Sequence, residues 1–147
     1  QRLKVDVQQV FRPEPRVESV ETQFAKFLLV NGKPTVAVSG SSFQPLLSSG
    51  EVLSRLPRVV VNMGAVPHVC NGAAVMAPGV VQIQGDFEKD DFVLVVDERH
   101  SKPLAIGVAL ADARTVGSLK HGKILENVHY VGDKLWNHLK AFGHFQP

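Results

Sequence analysis

The chain has 147 residues, enough for one compact domain or two small ones sharing a core. With 44% hydrophobic and 20% charged residues it has a globular balance, which excludes a disordered chain. No apolar run approaches about eighteen residues, so a helical membrane span and a membrane partner are not expected. The single cysteine, Cys70, can form neither an internal disulfide nor a cysteine zinc site, and a reducing, cytoplasmic setting is expected. The chain opens Gln1-Arg2-Leu3-Lys4 with no secretory signal pattern, and the missing initiator Met points to a trimmed chain.

The formal net charge of +2 does not by itself announce a nucleic-acid binder. Its distribution is uneven. Asp86, Glu88, Asp90, Asp91, Asp97 and Glu98 surround the single base Lys89, whereas Arg114, Lys120, Lys123, Lys134 and Lys140 dominate the C-terminal part. Two solvated faces of opposite sign explain this as well as a polyanion-binding end does.

Leu3 to Val10 alternates as a half-buried strand, broken by Arg12-Pro13-Glu14-Pro15. Phe24 to Val30 and Pro34 to Val38 read as strands joined by Asn31-Gly32, a dipeptide that tolerates positive φ and predicts a hairpin. Leu46 to Leu56 is a weakly amphipathic helix stopped by Pro57. After a boundary at Pro57-Arg58, Val59-Val60-Val61 forms a buried strand, and Asn62 to Asn71 holds one short helix or coil turn, followed by Gly72 in the left-handed region. Ala73 to Met76 is a strand, Pro78-Gly79 a type II turn, and Val80 to Ile83 extended again.

Residues 86–91 read as an exposed acidic loop. Phe92 to Val96 and Leu104 to Leu110 form a second hairpin around the polar turn Asp97 to Lys102. Ile124 to Val131 is the last strand, with Tyr130 expected to face the core, and Asp133 caps a closing helix through Ala141. The fold class is α+β, mainly β: a small pseudobarrel of about six short strands with two short helices, preceded by a small α+β lobe that docks on it. The expected division is 1–57 for the lobe, 58–141 for the barrel domain and 142–147 for a tail.

Gly64-Ala65, then Gly72-Ala73, then Met76-Ala77-Pro78-Gly79, together with Ile106-Gly107-Val108-Ala109, resemble the opening and middle of a PUA domain. That is the RNA-binding module of pseudouridine synthases and archaeosine transglycosylases. The tail Glu126-Asn127-Val128-His129-Tyr130, followed by Asp133-Lys134-Leu135-Trp136, narrows the resemblance to the translation-machinery-associated PUA proteins. That family includes the multiple copies in T-cell lymphoma protein and the ligatin-type initiation factors. The hairpin at Phe27 to Pro34 and the segment Phe43 to Leu47 are similar to its N-terminal domain, and the compact chain is similar to archaeal members.

The resemblance implies an RNA-binding accessory factor of translation at the small ribosomal subunit, without enzymatic activity, cofactor or metal. The RNA would be tRNA or rRNA, and a protein partner would dock on the N-terminal lobe. Its RNA face would comprise Gly64, Ala65, His68, Asn71, Gly72, Ala73 and Met76, with Lys120, His121, Lys123 and His129 beside it.

Glycines admit close approach of a nucleic-acid backbone, and His68 and Asn71 can stack on or read an unpaired base. No Lys or Arg occurs from Val59 to Glu88, so phosphate affinity needs Arg55, Arg58 and Lys120 to Lys123 in support.

Each of these residues also has a plain structural explanation, as turn glycine, solvated base or packing residue; Cys70 and Trp136 read as packing residues. The histidines lack metal-ligand spacing, and no nucleophile motif is present. Other functions compatible with the chain are an RNA-modification or ribosome-biogenesis accessory protein, an adaptor that touches no RNA, and a small ASCH-like hydrolase using Lys123 with Glu126.

Overall fold

The computed structural model describes residues 16–22, 26–39, 42–48 and 50–141. The expected strand at Leu3 to Val10, the proline break after it and the 142–147 tail lie outside these residues.

Four strands open the described chain: β1 (Val17–Glu21), β2 (Lys26–Val30), β3 (Lys33–Ser39) and β4 (Ser42–Pro45), paired in that order. The Asn31-Gly32 hairpin forms as expected, with φ of 53° and 83° at its two turn residues. Asn31 does a second job: its N–H donates to the Arg16 carbonyl at 2.8 Å, and its Oδ1 accepts from the Arg16 N–H at 3.0 Å. That fastens β1 onto the hairpin. Neither β1 nor β4 was expected from the sequence. β1 lies at the sheet edge with mostly exposed residues, so no buried face imposes alternation on it.

The expected helix over 46–56 contracts to a single turn, α1 (Gly50–Leu53). The Leu46 N–H donates to the Thr35 carbonyl at 3.0 Å, and Ser48 Oγ donates to the Pro34 carbonyl at 2.8 Å. These bonds hold Leu46 to Ser48 against β3, so tertiary pairing outweighs helix propensity there.

The rest forms a curled six-stranded sheet, a half-barrel. Its strands are β5 (Arg58–Val61), β6 (Val75–Met76), β7 (Val80–Gln84), β8 (Phe92–Asp97), β9 (Pro103–Ala109) and β10 (Lys123–Tyr130), in the order β6-β10-β9-β8-β5-β7. Between them lie α2 (Val66–Val69), a 3-10 turn at Ala77–Gly79 and α3 (Ala113–Ser118); α4 (Lys134–Ala141) closes the described chain.

The type II turn expected at Pro78-Gly79 is therefore a 3-10 turn, and Gly79 does not have positive φ. Glycine answers to space there, since an added Cβ would lie 3.2 Å from the Ala65 Cβ. The helix α3 was not expected either. Its signal is Asp112, whose Oδ1 accepts from the Thr115 N–H at 2.7 Å as an N-cap. In the acidic segment Asp91 and Phe87 are buried rather than exposed, and Asp91 Oδ2 accepts from the Glu88 N–H at 2.9 Å.

The strands β5 and β8 run parallel, with Val61 opposite Asp97, so both chains leave the sheet at the same end. Every residue of β8 is buried. Val93 and Val95 join the core inside the half-barrel, with Val59, Val61, Ile124 and Leu125. Phe92, Leu94 and Val96 join a second core on the other face, with Leu47, Leu53 and Leu56.

The lobe's own core is small: Phe27, Ala37, Leu46 and, from α4, Leu139. Trp136 packs on both this cluster and the second sheet core, so α4 carries the junction. Its N-cap is Asp133, whose Oδ1 accepts from the Trp136 N–H at 2.6 Å.

Candidate nucleic-acid interface

The residues from Asn62 to Gly79 fold into a loop, α2 and β6 that enclose a groove of about 440 Å³. Asn62 sets the groove wall at the exit of β5. Its N–H donates to the Gly79 carbonyl at 2.9 Å, and its Oδ1 accepts from the Ala65 N–H at 2.9 Å, which starts the turn into α2. At the far end of α2, Gly72 has φ of 91°, and an added Cβ would lie 3.0 Å from the Tyr130 ring. Backbone conformation and space both require glycine there. Asn127 on β10 then ties this loop down, its Nδ2 donating to the Val69 and Ala73 carbonyls at 3.0 and 3.1 Å.

Ala65, His68, Ala73 and Met76, all singled out in the sequence, line the groove; Gly64, Asn71 and Gly72 flank it in the same loops. His68 is exposed, and Met76 is 45% exposed. Asn62, Val69, Ala74, Val75, Pro78 and Gly79 complete the wall and were not singled out as site residues. The signal for Asn62 was legible: an Asn at a strand exit can bond a backbone N–H a few residues on and so start a turn.

The charge absent from the groove's own sequence comes from across the sheet. Lys123 pairs directly with Met76, and the Ala77 N–H donates to the Gly122 carbonyl at 2.8 Å. Side chains directly opposite in an antiparallel pair share a face, so Lys123 stands beside Met76. Lys120 and His121 are exposed in the turn leading to it. Lys123 Nζ lies 3.9 Å from Glu126 Oε1, with the two side chains 59% and 51% exposed, a solvent-screened pair outside the groove wall.

His129 does not belong to this surface. It is fully buried, and its Nδ1–H donates to Asp133 Oδ2 at 2.9 Å. A strand irregularity between Asn127 and His129 shifts the register of β10. His129 is fully buried on this strand, and Tyr130 packs against the half-barrel core, the side expected for it, though only partly buried. Burial pushes the Asp133 carboxyl up, but the His129 ring and the N–H groups of Trp136 and Tyr130 outweigh it and hold the carboxyl below its usual range.

Arg55 and Arg58 are likewise not part of the groove. They lie at the opposite end of β5, in a separate depression. The packing role read for Cys70 is compatible with its position: it is partly buried against the half-barrel core. Burial raises its thiol, and the charge of Lys102 lowers it to a smaller extent.

The turn after β8 braces the groove from the side. Asp97 accepts from the N–H groups of His100, Lys102 and Arg99 at 2.6, 3.1 and 2.8 Å. The His100 bond leads the lowering of its carboxyl below the usual range. Glu98 bonds across to the groove loop, its Oε2 accepting from the Met63 N–H at 2.8 Å.

A curled six-stranded sheet carrying a glycine-bounded groove at the exit of its first strand defines a PUA-type fold, and the PUA domain family model matches residues 57–131. The chain belongs to the PUA domain family. It is 36% identical over 135 residues to an uncharacterized protein of Methanocaldococcus jannaschii, covering 90% of this chain and 82% of that one. It is also 36% identical over 100 residues to translation machinery-associated protein 20 of Schizosaccharomyces pombe, covering 63% of this chain and 55% of the relative. The chain thus spans little more than half the length of that translation relative. A crystal structure of a hypothetical protein from Pyrococcus horikoshii OT3 superposes with a TM-score of 0.75 at 36% identity, covering 90% of this chain and 84% of that one. No helix among the described residues is long and apolar enough to cross a membrane.

Proposed function

We propose that this chain is a non-enzymatic RNA-binding factor that acts in translation at the small ribosomal subunit, in the cytoplasm. In this reading the 58–141 part holds tRNA or rRNA, and the 1–57 lobe holds a protein partner. The observation that carries it is the groove with Lys123 at its edge: a mainly apolar, preformed wall suited to an unpaired base, with a cation beside it for the adjoining phosphate. His68 supplies a stacking plane, Asn71 an amide for a base edge, and the turn Lys120 to Lys123 the electrostatic attraction. Gly64, Ala65, Gly72 and Ala73 let the nucleic-acid backbone come close, and Met76 adds apolar contact.

Binding needs no chemical step here. The Lys123–Glu126 pair that a hydrolase reading would require is more than half exposed and screened by solvent.

The test is fluorescence-anisotropy titration of the chain with tRNA, small-subunit rRNA fragments and duplex DNA at several salt concentrations. RNA is expected to bind in preference to DNA. His68→Ala should cost about 1–3 kcal/mol of binding, the range for one base stacked on an aromatic ring. Lys123→Ala should reduce the salt slope by about 0.7, the single-strand value for one phosphate. Folded protein that binds no RNA at low salt would overturn the proposal.

A further inference from the structure

Arg55 and Arg58 line a depression of about 300 Å³ at the seam between the lobe and the half-barrel, with Leu56, Pro57, Gln84, Gly85 and Asp86. The depression is built by close packing. Gly85 has φ of 90°, and an added Cβ would lie 3.3 Å from the Pro57 Cβ, so only glycine brings the end of β7 this near the connector.

The two guanidinium groups form no ion pair among the described residues, although Asp86 is in the same lining. Asp86 Oδ1 instead accepts from the Phe87 N–H at 3.0 Å, and Gln84 Nε2 donates to Gln82 Oε1 at 3.3 Å. Two arginines lining one concavity, neither in an ion pair among the described residues, offer charged N–H donors that suit the oxygens of a phosphate group better than any uncharged ligand.

The strand β7 connects this depression with the groove. Gly79, just before the strand, lines the groove; Gln84, its last residue, lines the arginine depression. A third depression, of about 270 Å³, lies between them along Val80 to Ile83, against Val116, Gly117 and Leu119. Among the described residues β7 pairs only with β5, so its outer edge has no strand partner, and Val81 is 54% exposed. The five residues span about 16 Å at about 3.3 Å each. Apolar middle, uncharged amides and a terminal pair of cations make a track for one strand of RNA, with ribose and base contacts along it and a phosphate held at its end.

We infer that the Arg55–Arg58 depression is a second phosphate-binding site, which holds the backbone of the same single-stranded RNA whose unpaired base occupies the groove. This rests on the proposed function and adds to it a second anchoring point and a path between the two.

The experiment measures anisotropy of the full chain with oligoribonucleotides of graded length, from a dinucleotide upward. It compares wild type with Arg55→Ala/Arg58→Ala, Arg55→Lys/Arg58→Lys and His68→Ala. Thermal midpoints confirm that each variant is folded. In wild type, affinity should step up once the oligonucleotide is long enough to reach the depression. The alanine pair should lose that step, roughly tenfold or more for each charge-assisted contact removed, and about 1.4 of the salt slope, while the dinucleotide binds as before. The lysine pair should keep part of the step through charge alone. His68→Ala should weaken every length.

An alanine pair that keeps the step, or that weakens the dinucleotide equally, would overturn the inference and leave the proposed function standing. Inorganic phosphate, a nucleoside monophosphate and polyglutamate serve as competitors. If one of them occupies the depression in a chain whose RNA affinity shows no length step, the site belongs to a free anion or an acidic polypeptide, and the RNA path is refuted. Absence of RNA binding at every length would remove both proposals together.

Discussion

The two sheets of this molecule are stabilised in different ways. In the half-barrel the central strand β8 is covered on both faces, by Val93 and Val95 on one side and Phe92, Leu94 and Val96 on the other. In the four-stranded sheet β1 is mostly exposed, and the buried cluster is Phe27, Ala37 and Leu46 completed by Leu139 from the far end of the chain. A side chain fully removed from water contributes about 1.5–3 kcal/mol, so the larger sheet has many such contributions and the smaller one only a few. The groove therefore stands on the sheet with the larger core, whose second face is covered by Leu47, Leu53 and Leu56, whereas the smaller cluster needs Leu139 of α4 to complete it.

Truncating Phe27 tests that dependence most severely. Phe27→Ala should cost about 3–5 kcal/mol, seen as a lower denaturation midpoint. Amide exchange should accelerate in β2 and β3 while β8 and β9 stay protected. Equal loss of protection in both sheets would show one cooperative unit and end the contrast.

Gly72→Ala probes the groove on the robust side. The left-handed φ and the Tyr130 ring against the new Cβ should cost about 1–3 kcal/mol, read from the same denaturation curves. RNA affinity should fall as the loop shifts.

Asp133→Asn tests the junction. It removes the carboxylate that His129 and the first turn of α4 share, and should cost about 1–2 kcal/mol near neutral pH. The folded carboxyl titrates below its usual range, so its contribution is complete above about pH 3.9 and is lost as pH falls through the lower folded value. The stability gap between wild type and variant should accordingly close on acidification, as measured by urea unfolding across that range. A gap independent of pH would mean that the carboxylate is not what holds α4.

The smallest effect belongs to the surface. A double-mutant cycle on Lys123 and Glu126 should return a coupling of about 0.2–1 kcal/mol, shrinking with salt. A larger value would mean that the pair is less solvated than its exposure indicates.

The amino-acid sequence by itself determined the elements whose cause is local. Asn31-Gly32 dictates a hairpin through its tolerance of positive φ, Gly72 a left-handed stop, and Asp133 a helix start. The runs at Val59 to Val61 and Phe92 to Val96 are continuous because both faces of those strands are covered. The glycine pattern from Gly64 to Gly79 made the family legible for the same reason, since Gly72 answers to a positive φ and the Tyr130 ring and Gly79 to the nearby Ala65 Cβ.

Tertiary structure decided the rest. The edge strands β1 and β4 exist because neighbours offer them backbone partners, not because their own residues alternate. The helix expected over 46–56 shortened because β3 claims Leu46 and Ser48. His129, expected on the RNA face, is buried beside Asp133 on a strand whose register shift is invisible in composition, while Tyr130 packs against the half-barrel core on its expected side. Arg55 and Arg58 separated from the groove because β5 lies between them and it, while Lys123 came to the groove through cross-strand pairing with Met76. A cation's position relative to a surface is a matter of register and topology, and neither is a local property of the chain.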